Sequence, residues 1–407
     1  MLNPETIKND FPIFQHQPDL VYLDSAATAQ KPQIVLEAMR TYYEEYTANV
    51  ARGLYPMAEM ATLAVSQARE RVADFIESEI ESTIFVASAT HGINLVASGL
   101  REHITKENNI VVTAVEHHSN FLPWKELAKK TDAEFRVAEP LTDGRLTEES
   151  ILQHIDAQTR ILSFTAVSNV LGVINPVKQI IQAVRAKNPH ILILIDACQA
   201  VGHIPVSVAD WDVDYLVFSG HKVFGPTGIG VLAGKRRSLE LLGPVNVGGG
   251  TVLDPLSSPT EYKQLPDSLE GGTPNIAGII GLGAAIGYVK ALGLTALHEH
   301  EQTLIALAEQ RLHKTFGDRV HIVGPTNSTG RADILSFTID GIHPHDLAQL
   351  LGEDNICIRA GEHCARPLHR SLNINASARL SVSIYNTEED IEKLIHGIKR
   401  ALGVFSV

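Results

Sequence analysis

Lys222 stands at the end of the run Asp214-Tyr-Leu-Val-Phe-Ser-Gly-His-Lys222, directly after an apolar segment. Asp196 closes a second apolar segment, Ile191-Leu-Ile-Leu-Ile195, upstream of it. A lysine delivered by a strand into a turn of small and polar residues has the chemistry of a Schiff-base nucleophile. A carboxylate at a strand end is held at the rim of a buried sheet. Together they meet the needs of pyridoxal 5'-phosphate, which takes a lysine for its aldehyde and an acidic partner for its pyridine nitrogen. Either residue alone reads as an ordinary strand-end Asp or a surface Lys. The weight falls on the groups around them.

Ser219, Gly220 and His221 precede the lysine and offer a hydroxyl and an imidazole to a phosphate. In Ser88-Ala-Thr-His-Gly92, backbone N–H groups and Thr90 can cradle an anion or simply cap a helix. Glu116-His-His-Ser-Asn120 ends another apolar run. An imidazole there can lie over a pyridine ring, or His117 and His118 can be a metal pair, although no third ligand has convincing spacing. Asn169, in Ser168-Asn-Val-Leu-Gly172, places an amide at the same rim, and Gln199 follows Asp196 in its turn. Several strand ends therefore supply groups of the types that one cofactor requires.

The elements that must position these groups alternate in kind. Candidate strands are Thr83–Ala87, Ile110–Val115, Glu134–Ala138, Thr159–Thr165, Ile191–Asp196, Tyr215–Ser219 and Ile229–Ala233. Amphipathic stretches such as Gly92–Leu100, Leu122–Lys130 and Val177–Lys187 lie between them. This alternation predicts an α/β fold with a mostly parallel sheet covered on both faces, whose ligands gather at the carboxyl ends of the strands. After Gly271-Gly-Thr-Pro-Asn275 the character changes: a long helix with Gly breaks from Ala277 to about Phe316, then a smaller α+β unit. The expected organisation is an N-terminal segment over 1–20 that packs with the small domain, a large domain over 21–276, and a connecting helix with the small domain over 277–407.

The chain has 407 residues, 34 Lys plus Arg and 47 Asp plus Glu, for a formal charge of −13. That acidic balance argues against nucleic acid or an anionic membrane as a general partner. No apolar run reaches membrane-spanning length, and three scattered cysteines do not make a disulfide framework. A reducing cytoplasm is the expected setting. Cys198 and Cys357 read as small buried hydrophobes. Cys364 differs, because Arg359-Ala-Gly-Glu-His-Cys364 is a short polar loop that sets a thiol beside an imidazole and near a guanidinium. Positive neighbours favour the thiolate.

Across nearly its whole length the chain resembles a fold-type I pyridoxal-phosphate enzyme, and specifically a class II (Suf/Csd-type) cysteine desulfurase of the aminotransferase class V family. The matching runs are Tyr22-Leu-Asp-Ser-Ala-Ala27, Glu116-His-His-Ser-Asn120, Ser168-Asn-Val-Leu-Gly172, Asp196-Ala-Cys-Gln199, Ser219-Gly-His-Lys-Val-Phe-Gly-Pro-Thr-Gly-Ile-Gly230, Gly272-Thr-Pro-Asn275 and Arg359-Ala-Gly-Glu-His-Cys-Ala365. The resemblance implies Lys222 as the Schiff-base lysine, Asp196 on the pyridine nitrogen and His117 stacked on the ring. Asn169 and Gln199 would face the ring's phenolic oxygen. Thr90, Ser219 and His221 would hold the phosphate, with Thr273 supplied by the partner subunit of a homodimer. It further implies Arg379 on the α-carboxylate of L-cysteine and Cys364 as the thiol that takes the sulfur. Alanine would leave, and the persulfide would pass to an acceptor protein of the SufE or SufU type for iron–sulfur cluster or other sulfur-compound biosynthesis.

Two departures from the family pattern matter. Asn49-Val-Ala51-Arg52-Gly53 has alanine where the family usually has histidine, and Ala89-Thr90-His91-Gly92 replaces Thr-Thr-Glu-Gly. His298-Glu-His-Glu301 resembles a metal tract but reads as the solvated face of a polar helix. Gly248-Gly-Gly250 reads as a close backbone approach at a subunit or cofactor edge. The residues leave three neighbouring activities open: selenocysteine lyase, cysteine C–S lyase and, less readily, aminotransferase. A catalytically decayed pyridoxal-binding scaffold in a sulfur-transfer complex is the reading from another class.

Overall fold

The computed structural model describes residues 3–51, 53–325 and 330–405. A short strand β1 (Val21–Tyr22) precedes a seven-stranded sheet. Its strands are β2 (Thr83–Val86), β3 (Asn109–Thr113), β4 (Glu134–Ala138), β5 (Thr159–Thr165), β6 (Leu192–Asp196), β7 (Tyr215–Ser219) and β8 (Gly230–Gly234). They run in the order β2-β8-β7-β6-β5-β3-β4. Only β8 is antiparallel to its neighbours; the other pairs are parallel. Every residue of β3, β6, β7 and β8 is buried. That follows from helices on both faces, which is why these segments read as continuous apolar runs rather than alternating ones.

The register sets the site. Thr165 pairs with Asp196, Ser219 with Gly230, and Val86 with Gly230, so the ends of β2, β7 and β8 meet at one place. Gly230 has no room for a side chain there: a Cβ would lie 2.9 Å from the Ser88 Cα and 2.7 Å from the Phe218 carbonyl oxygen. The helix Ala89–Gly99 starts against the end of β7, its Ala89 N–H donating to the Ser219 hydroxyl at 2.9 Å.

A hairpin, β9 (Val252–Asp254) with β10 (Glu261–Tyr262), leaves the large domain. The predicted long helix is two helices, Ile276–Leu292 and Leu294–Phe316, bent by 79°. Of its glycines only Gly293 breaks it, with φ +84, a left-handed conformation that an ordinary residue resists. No single helix among the described residues is long and apolar enough to cross a membrane.

The small domain is an antiparallel sheet in the order β11-β12-β15-β14, from β11 (Val320–Val323), β12 (Ile334–Ile339), β14 (Arg359–Gly361) and β15 (Ser377–Ser381). The short β13 (Ile356–Cys357) pairs with β1, which ties the chain just after the N-terminal segment to this domain. That segment also reaches the large domain's core, where Phe11 packs 5.9 Å from Phe224 and 6.1 Å from Tyr288, ring centre to ring centre.

The expectation for His298–Glu301 is corrected. Glu301 is fully buried, with His203 Nδ1 3.0 Å from its carboxylate, while His298 and His300 are half-buried. The helix carries this polar stretch into the seam between the domains, where a buried carboxylate persists only with a partner.

Candidate active site

A cavity of about 210 Å³ opens at the carboxyl ends of β5, β6 and β7. Its walls include Thr90, His117, Asn169, Asp196, Gln199, Ser219, His221, Lys222 and Arg379. Residues spread over most of the sequence are therefore brought together as expected. Two expected residues are not in the wall. Cys364 lies beside the cavity-lining Arg359, whose Nη2 is 3.8 Å from its sulfur. Thr273 lines a different surface cavity, with Asn49, Ala51 and Gly250. Arg52 lies outside the described residues.

Lys222 ends the short 3₁₀ turn Gly220–Lys222, which the loop before it clasps: the His221 carbonyl accepts from the Ala29 N–H at 2.9 Å and from the Thr28 hydroxyl at 3.3 Å. Asp196 accepts the Cys198 N–H at 3.0 Å, which aims its carboxylate along the turn. Gln199 donates to the Ala26 carbonyl at 2.9 Å, and its Oε1 is buried without a partner among the described residues. Two helix N-termini meet at the cavity, where the hydroxyls of Thr90 and Ser119 lie 2.7 Å apart and Ser219 Oγ accepts the Ala89 N–H at 2.9 Å. Helix N-termini favour anions.

Burial, and then the Lys222 ammonium, push His117 down to about 4, and His221 goes to about 4 for the same two reasons. Both rings are neutral near pH 7. Beneath His117, Glu116 is fully buried and takes hydrogen bonds from the Thr113 hydroxyl, the Asn120 amide and the Thr165 N–H. Burial raises it to about 8 against those donors. A stability effect follows for His117. The unfolded chain binds a proton near pH 6.5 and the folded one near 4, so stability falls as pH drops through that window. In cofactor-free protein His117→Phe is expected to remove this share, at most about 1.4 kcal/mol per pH unit. Thermal unfolding of parent and variant from about pH 7 to about pH 4.5 checks it; parallel curves would refute it.

Arg359 and Arg379 sit directly opposite each other on β14 and β15. Arg379 is buried, donates to the Asn169 carbonyl at 2.7 Å and pairs with Asp24 at 3.0 Å; its Nε has no partner among the described residues. Asp24 thus offsets two guanidinium groups. Arg359 and Asp24 were visible in the sequence as motif members, but no pattern along the chain marks either as a neighbour of Arg379.

The thiol loop departs from expectation in one respect. His363 does not supply positive charge to Cys364: burial, and then Arg379, push it down to about 2, and its ring turns to the Ser377 hydroxyl at 3.0 Å. The cation beside the sulfur is Arg359. His363 and Cys364 have φ +49 and +57. Such left-handed ordinary residues cost on the order of 1–3 kcal/mol each and persist only where the surroundings hold them. Here the Asn169 amide donates to the His363 carbonyl at 2.8 Å and the His118 N–H to the Cys364 carbonyl at 2.7 Å.

The other two cysteines pack, partly buried, against the hydrophobic core, as expected of small hydrophobes. Cys198 walls the cavity and Cys357 is half-buried. His91 joins the Ala87 N–H, at 3.1 Å, to the Asn246 side chain, at 3.3 Å, near the Gly248–Gly250 run. Among the described residues no three His, Cys, Asp or Glu side chains are placed to hold a metal.

A lysine with no hydrogen bond or ion pair to another described residue faces a carboxylate across a cavity with an anion cradle at one wall. Fold and site together define the class of fold-type I pyridoxal-phosphate enzymes. Residues 21–394 match the aminotransferase class-V family, and the chain belongs to it. It is 41% identical to a probable cysteine desulfurase of Streptomyces coelicolor, over 100% of this chain and 98% of that protein. It is 39% identical to a cysteine desulfurase of Serratia proteamaculans, over 97% of each. The fold matches a cysteine desulfurase from Thermococcus onnurineus with a TM-score of 0.94 at 34% identity, covering 99% of each chain. It matches the cysteine desulfurase CsdA from Escherichia coli at 0.91 and 32%, covering 100% of each. The resemblance read from the motifs is borne out.

Proposed function

We propose that this chain is a cysteine desulfurase that removes sulfur from L-cysteine, leaving L-alanine and a persulfide on Cys364. The observation that carries the reading is the convergence of Lys222, Asp196 and Arg379 on one cavity, with a free thiol held at its edge by Arg359. The residues fit pyridoxal 5'-phosphate: an unpaired lysine, a facing carboxylate, an orphaned Gln199 Oε1 and an anion cradle at Thr90, Ser219 and His221. When bound, the cofactor supplies the electron sink for a carbanion at the substrate's Cα. Asp196 would keep the pyridine nitrogen protonated, and His117, neutral and beside Lys222, would cover the ring.

The side chains divide the remaining tasks. Arg379 would hold the substrate carboxylate with its planar fork, orienting Cα toward Lys222. Lys222, once its amine is free, would take the Cα proton and return it. Cys364, beside Arg359, would attack the substrate sulfur as the thiolate, forming the S–S bond as the C–S bond breaks, with the C–S electron pair left on the substrate carbon, which takes up a proton to become the methyl group of alanine. Arg379→Lys is expected to raise KM for L-cysteine about tenfold to a hundredfold, because a point charge cannot replace the fork. Steady-state kinetics decide this, and an unchanged KM would reassign the carboxylate.

A homodimer fits two features. Thr273 lies outside this chain's own cavity, and Leu54, Tyr55, Met57, Met60 and Leu63 are exposed on and beside the helix Pro56–Phe75. A patch of that kind marks an interface. The persulfide would pass to an acceptor of the SufE or SufU type in a reducing cytoplasm. The test is product analysis with L-cysteine and a reductant. Alanine with sulfide supports the desulfurase, pyruvate with ammonia a C–S lyase, and turnover only of L-selenocysteine a selenocysteine lyase. Cofactor binding without turnover of either substrate would mean a decayed site.

A further inference from the structure

His118 has no part in the chemistry above, yet it grips the thiol loop at two points. Its backbone N–H donates to the Cys364 carbonyl at 2.7 Å, and its Nε2 accepts the Arg366 N–H at 3.3 Å. These groups flank Ala365. A parallel β-ladder makes the same pattern, in which one residue donates its N–H to the residue before its partner and accepts from the residue after it. In a ladder the acceptor is a carbonyl. His118 is the first residue of the helix His118–Thr131, so its carbonyl points along that helix. The imidazole stands in for it.

The loop needs such a hold. His363 and Cys364 are consecutive left-handed residues, and before Cys364 the chain is tied by the Asn169 amide to the His363 carbonyl. After Cys364 the hold on its carbonyl and on the Arg366 N–H comes from His118. The neighbouring His117 lines the cavity, and Ser119 bridges to Thr90. One helix start therefore carries both a wall of the cavity and the anchor of the thiol. We propose that His118 is a positioning residue that sets where the Cys364 sulfur stands relative to the bound substrate. The proposal rests on reading Cys364 as the thiol that takes the sulfur.

The experiment compares His118→Ala and His118→Gln as holoenzymes. In His118→Ala the cofactor's visible absorbance and its response to L-cysteine should match the parent, and KM should stay within about twofold. Alanine formation should fall about tenfold to a hundredfold, the scale for a reacting group displaced by about 1 Å. Glutamine keeps an acceptor, so His118→Gln should restore turnover to within about threefold of the parent. Hydrogen–deuterium exchange of the peptide spanning 359–366 should quicken in His118→Ala and not in His118→Gln. If His118→Ala does not fold, His118→Leu against His118→Gln makes the same comparison, since only the latter offers an acceptor. Unchanged turnover in the variant lacking an acceptor, or a glutamine variant as impaired as alanine, would overturn the proposal. Misassignment of Cys364 itself shows differently: Cys364→Ser would keep forming alanine, while loop exchange would still report the His118 contacts.

Discussion

Cys364→Ser is expected to keep the bound cofactor's visible absorbance and its change on adding L-cysteine, but to lose alanine and sulfide formation by about 10²-fold or more. Separation of the two effects follows from the geometry. Cys364 is not in the cavity wall and its sulfur touches the lining residue Arg359, so removing its sulfur leaves the groups that hold cofactor and substrate in place. A serine hydroxyl is the wrong nucleophile for sulfur. Mass spectrometry of the parent after L-cysteine should show a mass increase of one sulfur on the peptide that carries Cys364, absent from the variant. Alanine and sulfide at the parent's rate from Cys364→Ser would remove this thiol from the mechanism. Pyruvate from both proteins would make the thiol incidental to a C–S lyase.

Lys222→Ala should lose both the lysine-dependent absorbance band and at least about 10³-fold in turnover, since one side chain is asked to hold the cofactor and to move the Cα proton. The alternatives are poor. Lys31 is a nearby amine, but its ammonium donates to the Thr28 hydroxyl and the Ala29 carbonyl, and it does not line the cavity. Burial lowers it to about 8, so a trace of residual activity in Lys222→Ala would raise the question of substitution by this amine. Absorbance retained in Lys222→Ala and lost in the double variant with Lys31→Ala would answer it. Absorbance retained in both would overturn the cofactor assignment.

Much of the site could be read along the chain. Asp196, Lys222, Ser219, His117 and Asn169 each end or follow an apolar run, and in a covered parallel sheet such runs are strands whose ends share a rim. Burial on both faces imposes continuous apolarity within a few residues, and local turn chemistry places Gly and polar groups just beyond it. Both signals are short-ranged, so the strands, their polarity and the location of the cavity followed from the order of residues. The break at Gly293 followed only in kind: which of several glycines adopts the left-handed φ depends on how the second helix packs.

What required the folded chain is everything set by opposition and burial. Arg359 faces Arg379 because β14 and β15 pair in one register, and Asp24 lies against Arg379 because β1 joins the small domain from the far end of the chain. His363 adjoins Cys364 in sequence and was expected to charge it, yet burial leaves it neutral and turned to Ser377. Glu301 looked solvated and lies buried against His203. Thr273 follows the family motif and lines a cavity other than the one that holds Lys222. A side chain's type and its near neighbours are written in the sequence. Its charge state and its distance from a reacting atom depend on solvent exclusion and on partners hundreds of residues away, which only the tertiary structure supplies.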